Sequence, residues 1–138
     1  MADDAHKLEA EVLTPEGEVF SGELFQLSTR TAVGEVGIRA RHAPMIARLV
    51  PAELRLHPFE GDTQRYAQGE GWLEVFANRV RVLIAEAIPP DELDAGELRE
   101  RLEEAEHRLE ESEEDTAAHE HAEREKRRFE VFLEIAER

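Results

Sequence analysis

The chain has 138 residues, no cysteine, and 33 acidic residues against 17 lysines and arginines, for a formal net charge of −16. The length suits one domain, or a compact domain with a small appendage; the missing cysteines exclude disulfides, thiolate metal sites and cysteine nucleophiles. Such a negative field repels phosphate backbones and anionic headgroups, so no nucleic-acid partner and no direct lipid insertion are expected.

No apolar run approaches the roughly 20 residues that cross a bilayer. The N-terminal MADDAHKLEAEV lacks the basic-then-apolar order of a signal peptide. These features predict a soluble protein kept in the cytoplasm.

From Lys7 to Ala87 the sequence alternates in short runs broken by turn residues. Leu8, Ala10 and Val12 alternate with polar neighbours before the turn Thr14-Pro15-Glu16-Gly17. Val19-Phe20 resumes, Ser21-Gly22 predicts an interruption, and Glu23 to Thr29 reads as a further strand. Gly34 to Pro44 reads as a loop, with Gly34 and Gly37 supplying positive φ and Pro44 fixing the exit. Strands follow at Met45 to Leu49, Glu53 to His57, Gln64 to Ala67, Trp72 to Phe76 and Val80 to Ala85. This spacing predicts an antiparallel β-sandwich or barrel.

Pro89-Pro90 stops the pattern, because each proline removes a backbone donor and disfavours helix before it. The expected division is a β domain over 1–88 and a helical segment over 89–138. Glu97 to Arg138 holds 16 acidic and 8 basic residues, half of the net charge. Leu98, Leu102, Ala105 and Leu109 form one helical stripe, with Asp94 and Glu97 at capping-box spacing. A second stripe runs Ala118, Ala122, Phe129, Leu133, Ala136, with Ser112, Asp115 and Thr116 as candidate caps between the two. Two antiparallel helices of this kind make an αα-hairpin. Alone it is marginal, so it needs a partner surface, and a choice between two such surfaces is what a switch requires.

His42 is the candidate for acid–base work, with Glu35 as orienter; the plainer reading, a histidine before Ala-Pro making a loop hydrogen bond, is the stronger. No serine lies in a GxSxG context, and GxxG at Gly34 to Gly37 lacks the lysine of a phosphate loop. His119 and His121 point to different faces of a helix, so they and His107 do not read as a metal site. Arg124, Lys126, Arg127 and Arg128 are the one basic concentration in the tail: a solvated face among glutamates, or a contact for an acidic partner. These residues alone support a β-sandwich with an acidic helical hairpin, binding or regulatory.

Glu16-Gly17-Glu18-Val19-Phe20-Ser21-Gly22, Gly34-Glu35-Val36-Gly37-Ile38, His42-Ala43-Pro44, Gly71-Trp72-Leu73-Glu74-Val75 and Val80-Arg81-Val82-Leu83 resemble, in order and spacing, the epsilon subunit of the F-type ATP synthase. The likeness spans about Leu8 to Asp94 and is followed by a tail of the right kind. It implies a flattened sandwich of about ten strands with a two-helix C-terminal domain. It further implies a non-catalytic central-stalk subunit held between gamma and the c-ring, coupling proton-driven ring rotation to gamma. No cofactor is implied beyond a regulatory nucleotide, and the location is the cytoplasmic face of a bacterial plasma membrane.

By the same likeness, Glu35 matches an acidic position that meets the ring, with Arg39 and Arg41 able to reach ring-loop acids or carbonyls. His42 lies near the ring and gamma contacts, and Thr14 matches a position at gamma. In the family the hairpin is either folded down or extended into the alpha/beta hexamer, where it inhibits ATP hydrolysis; Arg124, Lys126, Arg127 and Arg128 are then the contacts. The family's ATP motif is degenerate here: Asp94 is kept, but Glu97 and Leu98 replace arginine and alanine, which predicts weak or no nucleotide binding. The competing readings are a stand-alone adaptor that docks on another protein and, more remotely, a small hydrolase centred on His42.

Overall fold

The computed structural model describes residues 6–138; the part of the leader reading that rests on residues 1–5 lies outside them. The chain divides into two compact units, one up to Ile88 and one from Pro89 to Arg138.

The first unit is a single ten-stranded sheet: β1 Leu8–Thr14, β2 Gly17–Leu24, β3 Gln26–Thr31, β4 Gly34–Ile38, β5 Met45–Leu49, β6 Ala52–His57, β7 Gln64–Gln68, β8 Gly71–Phe76, β9 Arg79–Ile84 and β10 Ala87–Ile88. The order is β10-β7-β6-β3-β5-β8-β9-β1-β2, with β4 on β3. Every pairing is antiparallel except β1 with β9, where Glu9 to Leu13 run beside Arg79 to Leu83. The sheet turns over at β3: Gln26 to Ser28 pair with β6, while Thr31 pairs with Leu49 of β5.

Period-two burial builds the interior. Along β9, Val80, Val82 and Ile84 point in and Arg79, Arg81 and Leu83 point out. Leu8, Val12, Leu27, Ile38, Leu49, Leu54, Leu56 and Leu73 join them in one core, each fully buried side chain contributing about 1.5–3 kcal/mol. A buried polar bridge closes the corner at β3. Gln68 accepts from Thr29 Oγ1 at 2.6 Å and donates to the Val50 carbonyl at 2.8 Å, so polar groups in the interior are paired there.

Two expectations are corrected within this unit. Ser21-Gly22 does not interrupt a strand: β2 runs through it, and the break falls at Phe25, between β2 and β3. A bulge at Val19, where Val12 faces Phe20 and Leu13 faces Glu18, absorbs the irregularity instead. Gly34 to Pro44 is not one loop either, since Gly34 to Ile38 is strand β4 and only residues 39–44 are irregular. Gly34 has φ 134 at the β3–β4 turn, but Gly37 is ordinary strand backbone that faces the Gln26 amide.

A cluster on β6 and β7 makes the fold acid-sensitive. Glu53, with its side chain 5% exposed, is gripped by both Arg55 and Arg65, which face each other across the strands. Burial raises the Glu53 carboxyl, but the hydrogen bonds and charges of the two arginines outweigh it and hold the group below its ordinary 4.5. Burial first, and then the Arg55 charge, lower the His57 ring below 6.5, and its Nε2 lies 2.8 Å from Ser28 Oγ. Both folded values are depressed, so both groups stabilise the fold above their unfolded values and the stability is lost as pH falls through the folded ones. Melting temperature is expected to fall in two stages on acidification. His57→Gln should flatten the decline between about pH 7 and 5, and an unchanged pH profile would remove His57 from this account.

In the second unit, a 3-10 turn at Pro90–Glu92 leads into α1 (Ala95–Glu111) and α2 (Ala117–Ala136). Asp94 caps α1, accepting from Glu97 N at 3.1 Å, while the Glu97 carboxylate turns to Arg101. Thr116 caps α2 by accepting from His119 N. Leu98 and Ala105 are buried on α1. On α2 the buried set is Ala122, Phe129, Phe132 and Ile135. The expected second stripe is therefore shifted: Ala118 is exposed, Leu133 and Ala136 are half-buried, and Phe132 and Ile135 take the seam. The apolar run Val131-Phe132-Leu133 offers several faces, and the tertiary fold buries the one that carries Phe132.

Candidate docking surfaces

Of the residues singled out for docking, Glu35 and the set Arg39, Arg41 and His42 lie toward opposite ends of β4, and Thr14 lies apart at the β1–β2 turn. Glu35 is one residue in from the β3–β4 turn, where its carboxylate takes Arg30 at 3.2 Å directly across the strands. The turn itself is fixed by Thr31, whose hydroxyl donates to Gly34 O and accepts from Val33 N. That leaves Val33 projecting, 97% exposed. Thr14 lies at the β1–β2 turn and makes the equivalent small cage, donating to Gly17 O and accepting from Glu16 N.

Arg39, Arg41 and His42 lie past the other end of β4, about 13 Å along the strand from Glu35. Arg39 donates to Gln26 Oε1 at 2.7 Å and covers the Phe25 ring at 4.7 Å, and that ring meets Phe59 edge-on. Arg41 has φ 64, and its N–H donates to Asn78 Oδ1 at 2.9 Å. Asn78 in turn donates to the Lys7 carbonyl at 2.6 Å, so one side chain in the β8–β9 turn ties down two neighbouring segments. His42 Nδ1 lies 2.8 Å from Ala43 O, and its backbone N–H donates to Arg39 O. Glu35 does not orient His42: β4 separates them, and Arg30 engages the carboxylate. Of the two readings the sequence left for His42, the geometry therefore has the plainer one, a loop histidine in a local hydrogen bond, and not the pairing with Glu35.

Sequence reading missed the outward face of β5, β8, β9 and β1. Ile46, Trp72, Phe76 and Leu83 are 45–73% exposed there. Strand register places Trp72 opposite Leu83, and Leu83 opposite Leu13, in one apolar row. The rows beside it are charged, with Arg81 on Glu11 at 2.8 Å and Arg79 on Glu9 at 3.1 Å. The signal was present in Trp72-Leu73-Glu74-Val75-Phe76, where large apolar residues occupy both parities of a strand whose inner face needs only Leu73 and Val75. Ile46 stands opposite Glu74 and Phe76 opposite Arg79, so these two break up the charged rows; exposed apolar side chains gathered on one face within a polar rim mark an interaction surface.

On α2, Arg124 and Arg127 are exposed and Lys126 is partly buried. Arg128 lies against Glu125 at 2.9 Å and over the Phe129 ring. Asp94 spends its carboxylate on the helix cap, and Glu97 pairs with Arg101, so the degenerate nucleotide motif is already engaged in helix-end contacts.

The sequence pattern of the family described as ATP synthase, Delta/Epsilon chain, beta-sandwich domain matches residues 7–90. The ATP synthase epsilon chain of Persephonella marina is 40% identical over 127 residues, 91% of this chain and 93% of that one. That of Sulfurihydrogenibium sp. is 32% identical over 126 residues, 91% of this chain and 94% of its own length. A solved chain in the Euglena gracilis mitochondrial ATP synthase OSCP/F1/c-ring assembly shares the fold, with a TM-score of 0.84 at 24% identity, covering 99% of this chain and 85% of that chain.

Proposed function

The chain belongs to the delta/epsilon family of ATP synthase and is a non-catalytic subunit of that complex, and from this premise we propose how its surfaces serve a rotor. The sandwich is a spacer with two differently made contact regions. The β3–β4 tip, with Val33 projecting beside the Arg30–Glu35 pair, meets the polar loops of the c-ring. The apolar outer face, bounded by Thr14 at one end and by the Arg39 to His42 loop at the other, packs against gamma. The observation that carries this reading is the separation of the docking residues to the two ends of β4, each held by local hydrogen bonds. A contact that transmits torque needs a stiff backbone, and these turns and loops are pinned by side-chain caps and by Asn78.

Coupling follows from this geometry: the ring turns the tip, the sheet carries the load, and gamma receives it through the apolar strip. The location that goes with this role is the cytoplasmic face of a bacterial plasma membrane, reached through the complex; no helix among the described residues is long and apolar enough to cross a membrane. The hairpin, when extended, places Arg124, Lys126, Arg127 and Arg128 on acidic loops of the alpha/beta hexamer and slows ATP hydrolysis.

Two measurements test these assignments. Glu35→Arg places two like charges across β3 and β4 at an exposed site, so melting temperature should move by no more than a few degrees. Proton-driven ATP synthesis in the assembled complex should fall several-fold; equal damage to folding and coupling would tell against a docking role. For nucleotide, titration calorimetry of the full chain with ATP is expected to show no binding in the micromolar range, because Glu97 presents an anion where the family motif has a cation. Micromolar affinity would overturn that expectation.

A further inference from the structure

The connection between α1 and α2 is closed by a side-chain relay that none of the docking contacts uses. Ser112 ends α1, its N–H donating to Arg108 O and its hydroxyl lying 3.1 Å from Leu109 O. The same hydroxyl is 2.9 Å from His119 Nδ1, and His119 Nε2 is 3.0 Å from Glu123 Oε1. One half-buried imidazole, its side chain 18% exposed, thus spans from the end of α1 to the second turn of α2.

Two features oppose closure at this end. Glu110, Glu111, Glu113, Glu114 and Asp115 put five carboxylates into six consecutive positions, and Glu120 faces solvent just beyond. Asp115 also takes φ 62, a backbone state that costs energy away from glycine. The apolar seam does little to resist them here: Ala105 and Ala122 are the fully buried residues of this half, whereas Leu98, Phe129, Phe132 and Ile135 lie toward the other end. There Arg99 also bridges to Glu137 at 2.9 Å.

We propose that Ser112, His119 and Glu123 form a latch that holds the hairpin closed against the carboxylate repulsion of its own turn, and so sets how readily the two helices part. The latch rests on the reading of the hairpin as an inhibitory element with a closed and an extended arrangement, and supplies its regulation. Each hydrogen bond in the relay is worth little alone, so removing it shifts a balance and does not unfold the helices. Because exposed charges are screened over about 10 Å at 0.1 M salt, salt favours the closed form.

The absence of cysteine makes the test direct. Spin labels on Glu103→Cys and Glu130→Cys, both exposed positions outside the relay, report the helix separation by pulsed electron spin resonance in the full chain and in the assembled complex. Ser112→Ala and His119→Leu are each expected to raise the long-distance population about three- to tenfold. Their double variant should add little to either single one, and salt should lower the open population in the parent. Unchanged distances, additive effects of the two substitutions, or a fall in helix content by circular dichroism would each overturn the latch. Hydrolysis by the same complexes separates the two readings: opened hairpins with lower hydrolysis support both, whereas opened hairpins with unaltered hydrolysis leave the latch standing and sink the inhibitory role.

Discussion

Gly71→Ala is expected to be the most damaging single substitution in the sandwich, costing about 3 kcal/mol or more. Gly71 opens β8 and is paired on both sides, with Leu49 of β5 and Ile84 of β9. A Cβ there would lie 1.9 Å from the Leu83 carbonyl oxygen and 2.8 Å from Ile84 Cα. Those are backbone atoms of a central strand, so relief requires β8 and β9 to separate. With about 4–8 °C of melting temperature per kcal/mol for a unit of this size, the variant should melt at least ~12 °C lower, or fail to fold. Gly22→Ala is the control: its Cβ would meet only the Phe20 ring, at 3.4 Å, which is ordinary contact. If Gly71→Ala and Gly22→Ala melt together, the close approach of β8 and β9 does not matter to stability.

Removing residues from Pro90 onward is expected to have the largest functional effect. The sandwich should stay folded, because its core residues all precede Ile88 and the two units are separately compact. Coupling should persist, since the proposed ring and gamma contacts lie in the sandwich. ATP hydrolysis by the complex should rise about fivefold or more, the span of an ordinary coupling free energy between two sites. The cause would be loss of the cationic stretch on α2, where Arg124 and Arg127 are exposed even in the closed hairpin. Hydrolysis assayed with and without residues 90–138 decides this, and equal rates would show that the hairpin does not inhibit.

The legibility of the chain tracks how local the cause of each feature is. Leu98 to Leu109 could be read as a helix stripe, and Asp94 as its cap, because i, i+4 spacing and a cap bond depend on neighbours in sequence. The strands around Leu8, Leu73 and Val80 were equally plain from alternation. Strand β4 was not. Two glycines and a proline within Gly34 to Pro44 suggest a loop, and only pairing with β3 makes Gly34 to Ile38 a strand. Likewise the choice of Phe132 and Ile135 for burial, among several apolar faces of α2, was made by tertiary packing and not by local spacing.

The docking residues show the same division more sharply. Glu35 and His42 are seven positions apart and read together as a site, but strand β4, which runs from Gly34 to Ile38, sets Glu35 near its start and His42 beyond its end. The exposed apolar residues Ile46, Trp72, Phe76 and Leu83 come from three strands whose adjacency is a matter of topology. Turn residues and periodicity determined the fold class and the break at Pro89-Pro90, and short motifs in order carried the family likeness, because each is written in residues close along the chain. Which residues share a surface was decided by the tertiary structure alone. The order β5-β8-β9-β1 brings together side chains far apart in sequence, and the alternation of each strand selects which of them face outward.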